Sequence, residues 1–247
     1  MIKTILFDLD DTLLGNDMDI FLPPYFALCG QFGRQYLPGD EFMQALLLAS
    51  RSMVEDCDPN VTNNEIFWTR FSDITGLDRN VVNEEFDSFY RHEFNQLQDI
   101  TEQTPFAAQI MDWCFDQDLK VVIATNPMFP RRAVESRLSW AGIPVSKYPY
   151  ALVTTIENMH ATKPHQAYYR EILEVVGCCP YEALMVGDSG TNDIEPAAKL
   201  GLSTFWIQLP EAELPQGVTP TAQGKLEDLA HHLSDGWLST LALNKTT

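Results

Sequence analysis

The sequence predicts an α/β fold in which a doubly wound, Rossmann-like parallel sheet is joined to a second, smaller and all-helical domain. After about residue 100, short apolar segments alternate with segments of helical periodicity, which is typical of a parallel sheet with helices on both faces. One apolar segment, residues 2–8, lies apart near the N-terminus and is followed by helical patterns alone. We therefore predict that residues 1–15 and 99–247 form an α/β core and that residues 16–98 form a helical cap inserted after the first strand.

Four helices are predicted in the cap from their capping residues and their apolar periodicity. Pro23 and Pro24 can open the first helix, and Asp40 can cap the second. The segment Thr62-Asn63-Asn64-Glu65 fits a capping box ahead of the third helix. The fourth helix is predicted from Asn80 to Phe94. Because no strand pattern interrupts these helices, we expect this region to contribute no strand to the sheet.

The predicted core continues with further strands and with the helices between them. The strands are predicted at residues 120–124, 150–154, 182–187 and 203–207. Helices are predicted to begin at Thr104-Pro105 and to run from Pro130 to Gly142, from Pro164 to Val176 with Gly177 as the C-terminal stop, from Ile194 to Leu200, and from Thr221 to Leu233. Residues 208–220, which contain three prolines, are predicted to form a surface loop.

Length and charge limit the classes of partner. The chain has 247 residues, an apolar fraction of 45% and a formal net charge of -19. This length and apolar content are sufficient for one core domain with a smaller partner. The negative charge would repel nucleic acid, so we expect no nucleic-acid partner. It would also repel an anionic substrate, and a site for such a substrate must therefore supply its own local positive charge.

No segment has the pattern of a membrane span or of an export signal. No apolar run approaches the roughly 18 residues of a transmembrane helix, and Asp8 and Asp10 interrupt the N-terminal apolar segment too early for a signal peptide. The five cysteines are scattered and include no C-x-x-C pair, which argues against a disulfide framework or a zinc site. We expect a cytoplasmic protein without a membrane partner, and nothing in the sequence indicates an oligomeric state.

Polar residues follow several predicted strands at the points where these strands end. In an open α/β sheet, ligands bind outside the carboxyl ends of the strands. Each polar residue alone could serve as a helix cap, a turn residue or a solvated side chain. Their joint occurrence at strand ends favours a functional site instead. The residues are Asp8, Asp10, Asp11 and Thr12 after the first strand, Thr125 and Asn126 after the second, Asp188, Asn192 and Asp193 after a later one, and Lys163 before a predicted helix start.

The same segments carry a family resemblance. The segments DLDDTL, IATN, Lys163-Pro164 and GDSGTND, in this order, resemble the four motifs of the haloacid dehalogenase-like (HAD) hydrolase superfamily. The helical insertion after the first motif resembles the first cap type of that family, so the resemblance extends over nearly the whole chain. It implies a phosphatase that hydrolyses the phosphate monoester of a small metabolite through an aspartyl-phosphate intermediate.

The resemblance also implies a role for each motif residue. Asp8 would be the nucleophile, while Asp10 would protonate the leaving alcohol and then act as the base for the hydrolytic water. Strand alternation is expected to place the Asp8 and Asp10 side chains on the same side of the sheet. Thr125 and Asn126 would bind the phosphoryl oxygens, and Lys163 would neutralise the charge that develops there.

A divalent cation is expected where Asp8, Asp10 and Asp188 converge. At about 5 Å and an effective dielectric constant of about 20, each pair of unit charges repels by about 3 kcal/mol. Such a cluster requires a cation or partial protonation, and oxygen ligands beside a phosphate favour Mg²⁺. By resemblance, the Asp8 and Asp188 carboxylates and the Asp10 backbone carbonyl would hold the metal. Asp193 would act through metal-bound water or through Lys163.

Asp10 favours phosphate chemistry over carbon–halogen chemistry. Dehalogenases of the superfamily do not place an aspartate at this position, because a halide leaves without a proton whereas an alkoxide needs one. Asp10 does not distinguish a phosphatase from a phosphomutase, which stays an alternative. A non-catalytic phospho-acceptor or binding protein is an alternative of a different class. It is disfavoured because a receiver domain has about half this length and because every motif residue is present.

Overall fold

The computed structural model describes residues 1–38, 40–210 and 213–241 of the chain. The strands are β1 (Thr4–Phe7), β2 (Leu14–Gly15), β3 (Glu102–Gln103), β4 (Lys120–Ile123), β5 (Leu152–Val153), β6 (Ala183–Gly187), β7 (Ser203–Ile207) and β8 (Ala222–Gly224). Six of them form a parallel sheet in the order β5-β4-β1-β6-β7-β8, and β2 pairs with β3 as a short antiparallel ribbon. This confirms the predicted α/β fold with a parallel sheet.

Helices occupy most of the remaining chain. The insertion between β2 and β3 contains α1 (Met18–Gly33), α2 (Glu41–Glu55), α3 (Asn63–Thr75) and α4 (Arg79–Arg91), followed by a 3₁₀ helix (Glu93–Ile100). The later helices are α5 (Ala107–Asp116), α6 (Arg131–Trp140), α7 (Gln166–Val176), α8 (Glu195–Lys199), α9 (Leu226–Ser234) and α10 (Trp237–Leu241), and one π-helical turn (Gly190–Ile194) precedes α8. The predicted helical character of the insertion is confirmed.

Strand β1 lies in the middle of the sheet and is buried on both faces. All four of its side chains are buried, and Phe7 lies opposite Ile123 of β4 and Val186 of β6. Such continuous apolar strands are typical of a parallel sheet covered by helices. Because the three strands are parallel and in register, the residues that follow them meet at one edge of the sheet.

One predicted helix start in the insertion is wrong, and one predicted capping bond is absent. Pro23 and Pro24 lie inside helix α1, which begins at Met18. The Asp17 side chain caps this earlier start by accepting a hydrogen bond from the Asp19 N–H (2.8 Å). The predicted start of α2 at Asp40 is confirmed, because the helix begins at Glu41 and the Asp40 carbonyl accepts from the Gln44 N–H (2.9 Å), but the Asp40 side chain makes no capping bond. A polar residue near a helix start is thus not sufficient evidence for a cap.

The capping box of α3 is confirmed. The Glu65 N–H donates to Thr62 Oγ1 (3.2 Å), and the Glu65 carboxylate accepts from the Thr62 N–H (2.9 Å).

The fourth predicted helix, from Asn80 to Phe94, is confirmed as a helix, but its predicted C-terminal end is wrong. Helix α4 ends at Arg91, and the chain continues as a 3₁₀ helix to Ile100.

The predicted helix from Thr221 to Leu233 is wrong at its start. Residues 222–224 form β8 at the edge of the sheet, and α9 begins only at Leu226. The strand is positioned by a reciprocal pair of bonds, in which each of Thr204 and Thr221 donates its N–H to the hydroxyl of the other (3.0 and 3.2 Å). A strand of three residues is too short to show a polar–apolar alternation in the sequence. Its formation depends on its pairing with β7.

Several boundaries in the core shift by a few residues. Helices α5 and α7 begin two residues after Pro105 and Pro164, which lie outside them. The predicted helix from Ile194 to Leu200 is divided between the π-helical turn and α8. Gly177 ends α7 in the left-handed conformation (φ 63°), which confirms its predicted role as the C-terminal stop.

The insertion and the sheet share one apolar core. A single buried cluster contains Phe7 and Ile123 of the sheet together with Phe21, Phe42 and Phe71 of the insertion. The β2–β3 ribbon joins the two ends of the insertion close to the sheet. The division into a core and a cap at the predicted boundaries stays a prediction.

The longest of the helices described above, α1, has 16 residues. Within residues 1–38, 40–210 and 213–241, every helix lacks the combination of length and apolar character that crossing a lipid bilayer requires.

Candidate active site

A buried lysine joins two of the predicted site residues. Asp8 follows β1, and its N–H donates to the Val186 carbonyl of the neighbouring strand (2.9 Å). The Lys163 ammonium donates to Asp8 Oδ1 and to Asp193 Oδ1, each at 2.6 Å. The Lys163 side chain is only 2% exposed, so its charge is balanced by these two carboxylates rather than by water.

Asp193 is positioned by the turn that follows β6. Its second carboxylate oxygen accepts a hydrogen bond from the Ser189 N–H (3.1 Å). A Cβ on Gly187 would collide with this carboxylate, so the close approach requires glycine at that position. The direct contact between Asp193 and Lys163 agrees with one of the two roles expected for Asp193, whereas its role through metal-bound water stays a prediction.

Three carboxylates converge beside the lysine. One oxygen each of Asp8, Asp188 and Asp193 lies within 4.8 Å of the others. Their charges exceed the single positive charge of Lys163. The site can relieve the remaining repulsion by protonation or by a cation. Oxygen donors alone fit a hard ion such as Mg²⁺, so the residues present fit the metal that the family implies.

The electrostatics of the cluster reflect this excess charge. Burial and the nearby Asp193 carboxylate raise the pKa of Asp188 to about 7. Burial also raises the pKa of Asp8 well above its usual range, despite the opposing effect of Lys163. Burial alone would lower the pKa of Lys163, but the Asp193 and Asp8 carboxylates hold it well above its usual range. The lysine is therefore charged, while the raised pKa values of Asp8 and Asp188 favour their protonation.

The residues after β4 lie against the same group. Asn126 Oδ1 accepts a hydrogen bond from the Lys163 N–H (3.2 Å), which ties the two segments together. The Thr125 carbonyl accepts from the Tyr168 hydroxyl (2.8 Å), and Thr125 is buried. Thr125 and Asn126 thus border the Asp8–Lys163 pair, whereas their contact with a phosphoryl group stays a prediction.

Asp10 lies near the cluster, but its carboxylate is bonded elsewhere. Its Oδ1 accepts from Asn16 Nδ2 (2.6 Å) and its Oδ2 accepts from Arg137 Nη1 (2.5 Å). The expectation that strand alternation positions Asp10 is wrong, because β1 ends at Phe7 and Asp10 instead forms an isolated bridge with Leu14. The contact of its backbone carbonyl with a metal stays a prediction.

The sequence reasoning missed Arg137. Its guanidinium is buried, forms an ion pair with Asp10 and lies over the Phe129 ring at 4.5 Å. A signal was present, since Arg137 shares the apolar face of α6 with Ala133, Val134 and Leu138. An arginine on an apolar helix face requires a buried partner, which could have been sought among the carboxylates.

These residues border one cavity of about 620 Å³ between the sheet edge and the insertion. Its walls include Leu22 and Phe26 of α1 and Leu46 and Leu47 of α2. On the sheet side it is lined by the predicted site residues Asp8, Asp10, Thr125, Asn126, Lys163, Asp188 and Asp193, together with Arg137. The cavity has the size typical of a small-molecule site and combines a charged floor with an apolar roof.

The carboxyl edge of the parallel sheet thus brings together aspartates, a threonine and a lysine, a set suited to phosphoryl transfer to a carboxylate. The model of one family, described as haloacid dehalogenase-like hydrolase, matches residues 2–201 of this chain. The chain therefore belongs to the haloacid dehalogenase-like hydrolase family, which confirms the resemblance of its motifs.

Curated relatives match over most of the chain at low identity. Pyrophosphatase PpaX from Bacillus cereus (strain AH820) is 26% identical over 239 residues, which cover 95% of this chain and 97% of that protein. Pyrimidine 5'-nucleotidase PynA from Streptococcus pneumoniae (strain ATCC BAA-255 / R6) is 27% identical over 212 residues, which cover 83% of each.

Solved structures confirm the fold. A HAD phosphatase from Thermococcus onnurineus superposes with a TM-score of 0.60 at 20% identity and covers 94% of this chain and 98% of that one. A 2-haloacid dehalogenase from Pseudomonas syringae pv. Tomato DC3000 gives a TM-score of 0.63 at 19% identity and covers 96% of this chain and 100% of that one. Phosphatase and dehalogenase structures fit about equally well, so the fold does not select between the two reactions.

Proposed function

We propose that this hydrolase is a Mg²⁺-dependent phosphatase that cleaves phosphate monoesters of small metabolites through an aspartyl-phosphate intermediate. The observation that carries this proposal is the Lys163 bridge, in which one ammonium contacts Asp8 and Asp193 at 2.6 Å. A lysine in this position holds the nucleophilic carboxylate in place and offers positive charge to an incoming phosphate. Together with a bound Mg²⁺, it would supply the local positive charge that an anionic substrate needs in a protein with a net charge of -19.

In the first step, a carboxylate oxygen of Asp8 attacks phosphorus and the bond from phosphorus to the leaving oxygen breaks. Asp10, when protonated, gives its proton to that oxygen, so that a neutral alcohol leaves. In the second step, Asp10 takes a proton from water, and the water oxygen attacks phosphorus. Inorganic phosphate leaves, and the Asp8 carboxylate is restored.

The other residues of the site act on charge and position. Thr125 and Asn126 hydrogen-bond the phosphoryl oxygens, and Lys163 balances the charge that develops on them. Asp8 and Asp188 would hold Mg²⁺, whose charge would reduce the repulsion between the phosphate and the nucleophile. Asp193 holds Lys163 in place. Both Asp10 carboxylate oxygens accept hydrogen bonds, one from Asn16 and one from Arg137, which fix the position of this carboxyl group.

Two further observations support phosphate chemistry. Asp10 supplies the acid that an alkoxide needs and a halide does not. The relatives PpaX and PynA are named for reactions that release phosphate, and they match nearly the whole length of this chain. Neither observation identifies the alcohol that leaves.

The proposal is tested with small phosphate esters and the variant Asp8→Asn. We expect the wild-type protein to release inorganic phosphate with MgCl₂ and not with EDTA, and we expect Asp8→Asn to lose turnover by at least about 10³-fold. Turnover by Asp8→Asn equal to that of the wild type would contradict the assignment of Asp8 as the nucleophile. An isomerised sugar phosphate without net release of phosphate would indicate a phosphomutase instead.

The matched control is Asp73→Asn. Asp73 is exposed on α3, outside the cavity, and its substitution should leave turnover unchanged.

A further inference from the structure

A second cavity of about 300 Å³ lies next to the active-site cavity. The two cavities share Tyr25, Leu46, Ser50 and Met128 as lining residues. The two cavities therefore meet at one small side chain, two flexible apolar side chains and one ring. A substrate whose phosphate lies in the first cavity can extend its leaving group toward the second.

Aromatic rings form much of the second cavity. Phe67 and Trp68 of α3 and Phe86 and Tyr90 of α4 line it, in addition to Tyr25. The Trp68 and Phe86 rings are perpendicular to each other with centroids 6.4 Å apart, as are Phe86 and Tyr90 at 5.2 Å. Such contacts fix the rings of the wall, so that they present a rigid surface to a planar ligand.

Two amide side chains give this aromatic surface its polar component. Asn64 at the start of α3 and Asn83 on α4 both line the cavity. Within the described ranges, neither side-chain amide has a hydrogen-bond partner, and Asn64 is fixed instead by the bond from its backbone N–H to the Ile156 carbonyl (2.9 Å). Each amide can both donate and accept, as the edge of a heteroaromatic ring requires.

The charged residues of the cavity are already paired. The Arg132 guanidinium donates to Asp87 (2.6 Å), and Arg131 lies 3.8 Å from Glu135. The Glu157 carboxylate accepts from the backbone N–H of Arg131 at the start of α6 (3.0 Å). With three carboxylates and two guanidiniums in its wall, the cavity offers no surplus of positive charge to a second phosphate or a carboxylate. This favours an uncharged leaving group.

We propose that the second cavity binds the leaving group of the substrate and that this group ends in a planar, uncharged heteroaromatic ring. The inference rests on the proposed phosphatase function and names its substrate class. The ring would pack on the aromatic wall and hydrogen-bond the amides of Asn64 and Asn83. A nucleoside monophosphate and a phosphorylated heteroaromatic alcohol such as pyridoxal 5'-phosphate share this chemistry.

The test compares uridine 5'-monophosphate and pyridoxal 5'-phosphate with glycerol 3-phosphate and inorganic pyrophosphate, all with MgCl₂. We expect kcat/KM for at least one of the two aromatic esters to exceed that for glycerol 3-phosphate by about tenfold or more. The better of the two identifies the source of the ring. A preference for glycerol 3-phosphate or for pyrophosphate would overturn the inference.

A matched pair of variants on α4 tests the place of binding. Asn83 and Asn80 are both exposed residues of this helix, but only Asn83 lines the second cavity. Asn83→Trp should lower the preference for the aromatic ester over glycerol 3-phosphate by about tenfold, and Asn80→Trp should leave it unchanged. Equal behaviour of the two variants would overturn the inference.

Binding to the Asp8→Asn protein separates this inference from the proposed function. Calorimetry should show that the preferred aromatic ester binds this variant and that adding Asn83→Trp weakens the binding by about tenfold. If the ester binds in this way but Asp8→Asn does not reduce hydrolysis, the nucleophile assignment fails and the ring site stands. If hydrolysis depends on Asp8 but Asn83→Trp leaves binding unchanged, the ring site fails and the phosphatase stands.

Discussion

Arg137 and Asp10 are 127 positions apart in the chain and form a partly buried ion pair with Nη1 and Oδ2 2.5 Å apart. Arg137 is on α6, and Asp10 lies in the turn between β1 and β2, ahead of the helical insertion. The ion pair thus links two parts of the chain: helix α6, and the segment that contains Asp10, the expected general acid. Removing one partner of a buried ion pair leaves the other charge without compensation.

We predict that Arg137→Met destabilises the protein by about 1–3 kcal/mol, because it removes a charged hydrogen bond and leaves the partly buried Asp10 carboxylate without its cation. The measurement is the free energy of unfolding from urea denaturation. The double variant Asp10→Asn/Arg137→Met should recover at least about 1 kcal/mol of this loss, because the unpaired charge is then absent.

Arg131→Met is the control for this experiment. Arg131 is on the same helix, but its side chain is 54% exposed and lies 3.8 Å from Glu135. The change should cost less than about 0.5 kcal/mol. A cost for Arg137→Met as small as that of the control would contradict a structural role for the ion pair.

The raised pKa of Asp188, about 7, predicts a pH dependence of stability without metal. Between pH 4 and pH 7 the folded protein holds a proton on Asp188 that the unfolded chain releases, so the free energy of unfolding falls as pH rises through this range. Asp188→Asn removes that effect and should stabilise the metal-free protein at pH 7 by on the order of 2–4 kcal/mol.

Urea unfolding at pH 5 and pH 7 in EDTA measures this gain. The gain should be clearly smaller at pH 5, where Asp188 keeps its proton in the folded protein. Asp188→Asn should also lose the stabilisation by MgCl₂ that we expect for the wild type. An equal gain at both pH values would show that the carboxylate is ionised throughout.

Lys163→Met is predicted to reduce kcat by at least about 10²-fold, because it removes the charge that faces the phosphoryl oxygens. It should also destabilise the protein by about 3–5 kcal/mol, since Asp8 and Asp193 lose their shared partner. Phosphate release and urea unfolding measure the two effects. In Lys199→Met, the exposed i,i+4 pair with Glu195 is lost, and both quantities should remain close to those of the wild type.

Gly187→Ala is predicted to displace the Asp193 carboxylate, because the added Cβ would overlap with it. We expect kcat to fall by about tenfold or more and stability to fall by about 1–3 kcal/mol. Gly30→Ala in α1 is the matched control, since its Cβ would lie 3.5 Å from Met43 in ordinary contact and should not destabilise the protein. Wild-type activity in Gly187→Ala would show that Asp193 does not position Lys163.

Much of the site could be predicted because its residues follow strands that the sequence marks clearly. Asp8, Thr125 and Asp188 each come directly after an apolar segment, and parallel strands bring such positions to one edge of the sheet. Local signals with a complete hydrogen-bond pattern, such as the capping box of Thr62 and Glu65, were also read correctly.

Predictions failed where a single residue type was the only evidence. Pro23 and Pro24 lie within a helix that Asp17 caps earlier, and the edge strand at residues 222–224 depends on its neighbour β7. In both cases the local preference is weak, and a more distant or stronger contact determines the structure.

The sequence by itself determined the family, the helical character of the insertion, the central strands of the sheet, and the aspartates, threonine and lysine that meet at the sheet edge. Only the tertiary structure decided that Lys163 bridges Asp8 and Asp193, that Asp10 is paired with Arg137, and that an aromatic cavity adjoins the site. Periodicity and motifs reflect local backbone preference and burial, whereas these pairings depend on side-chain directions and on the approach of segments far apart in the chain.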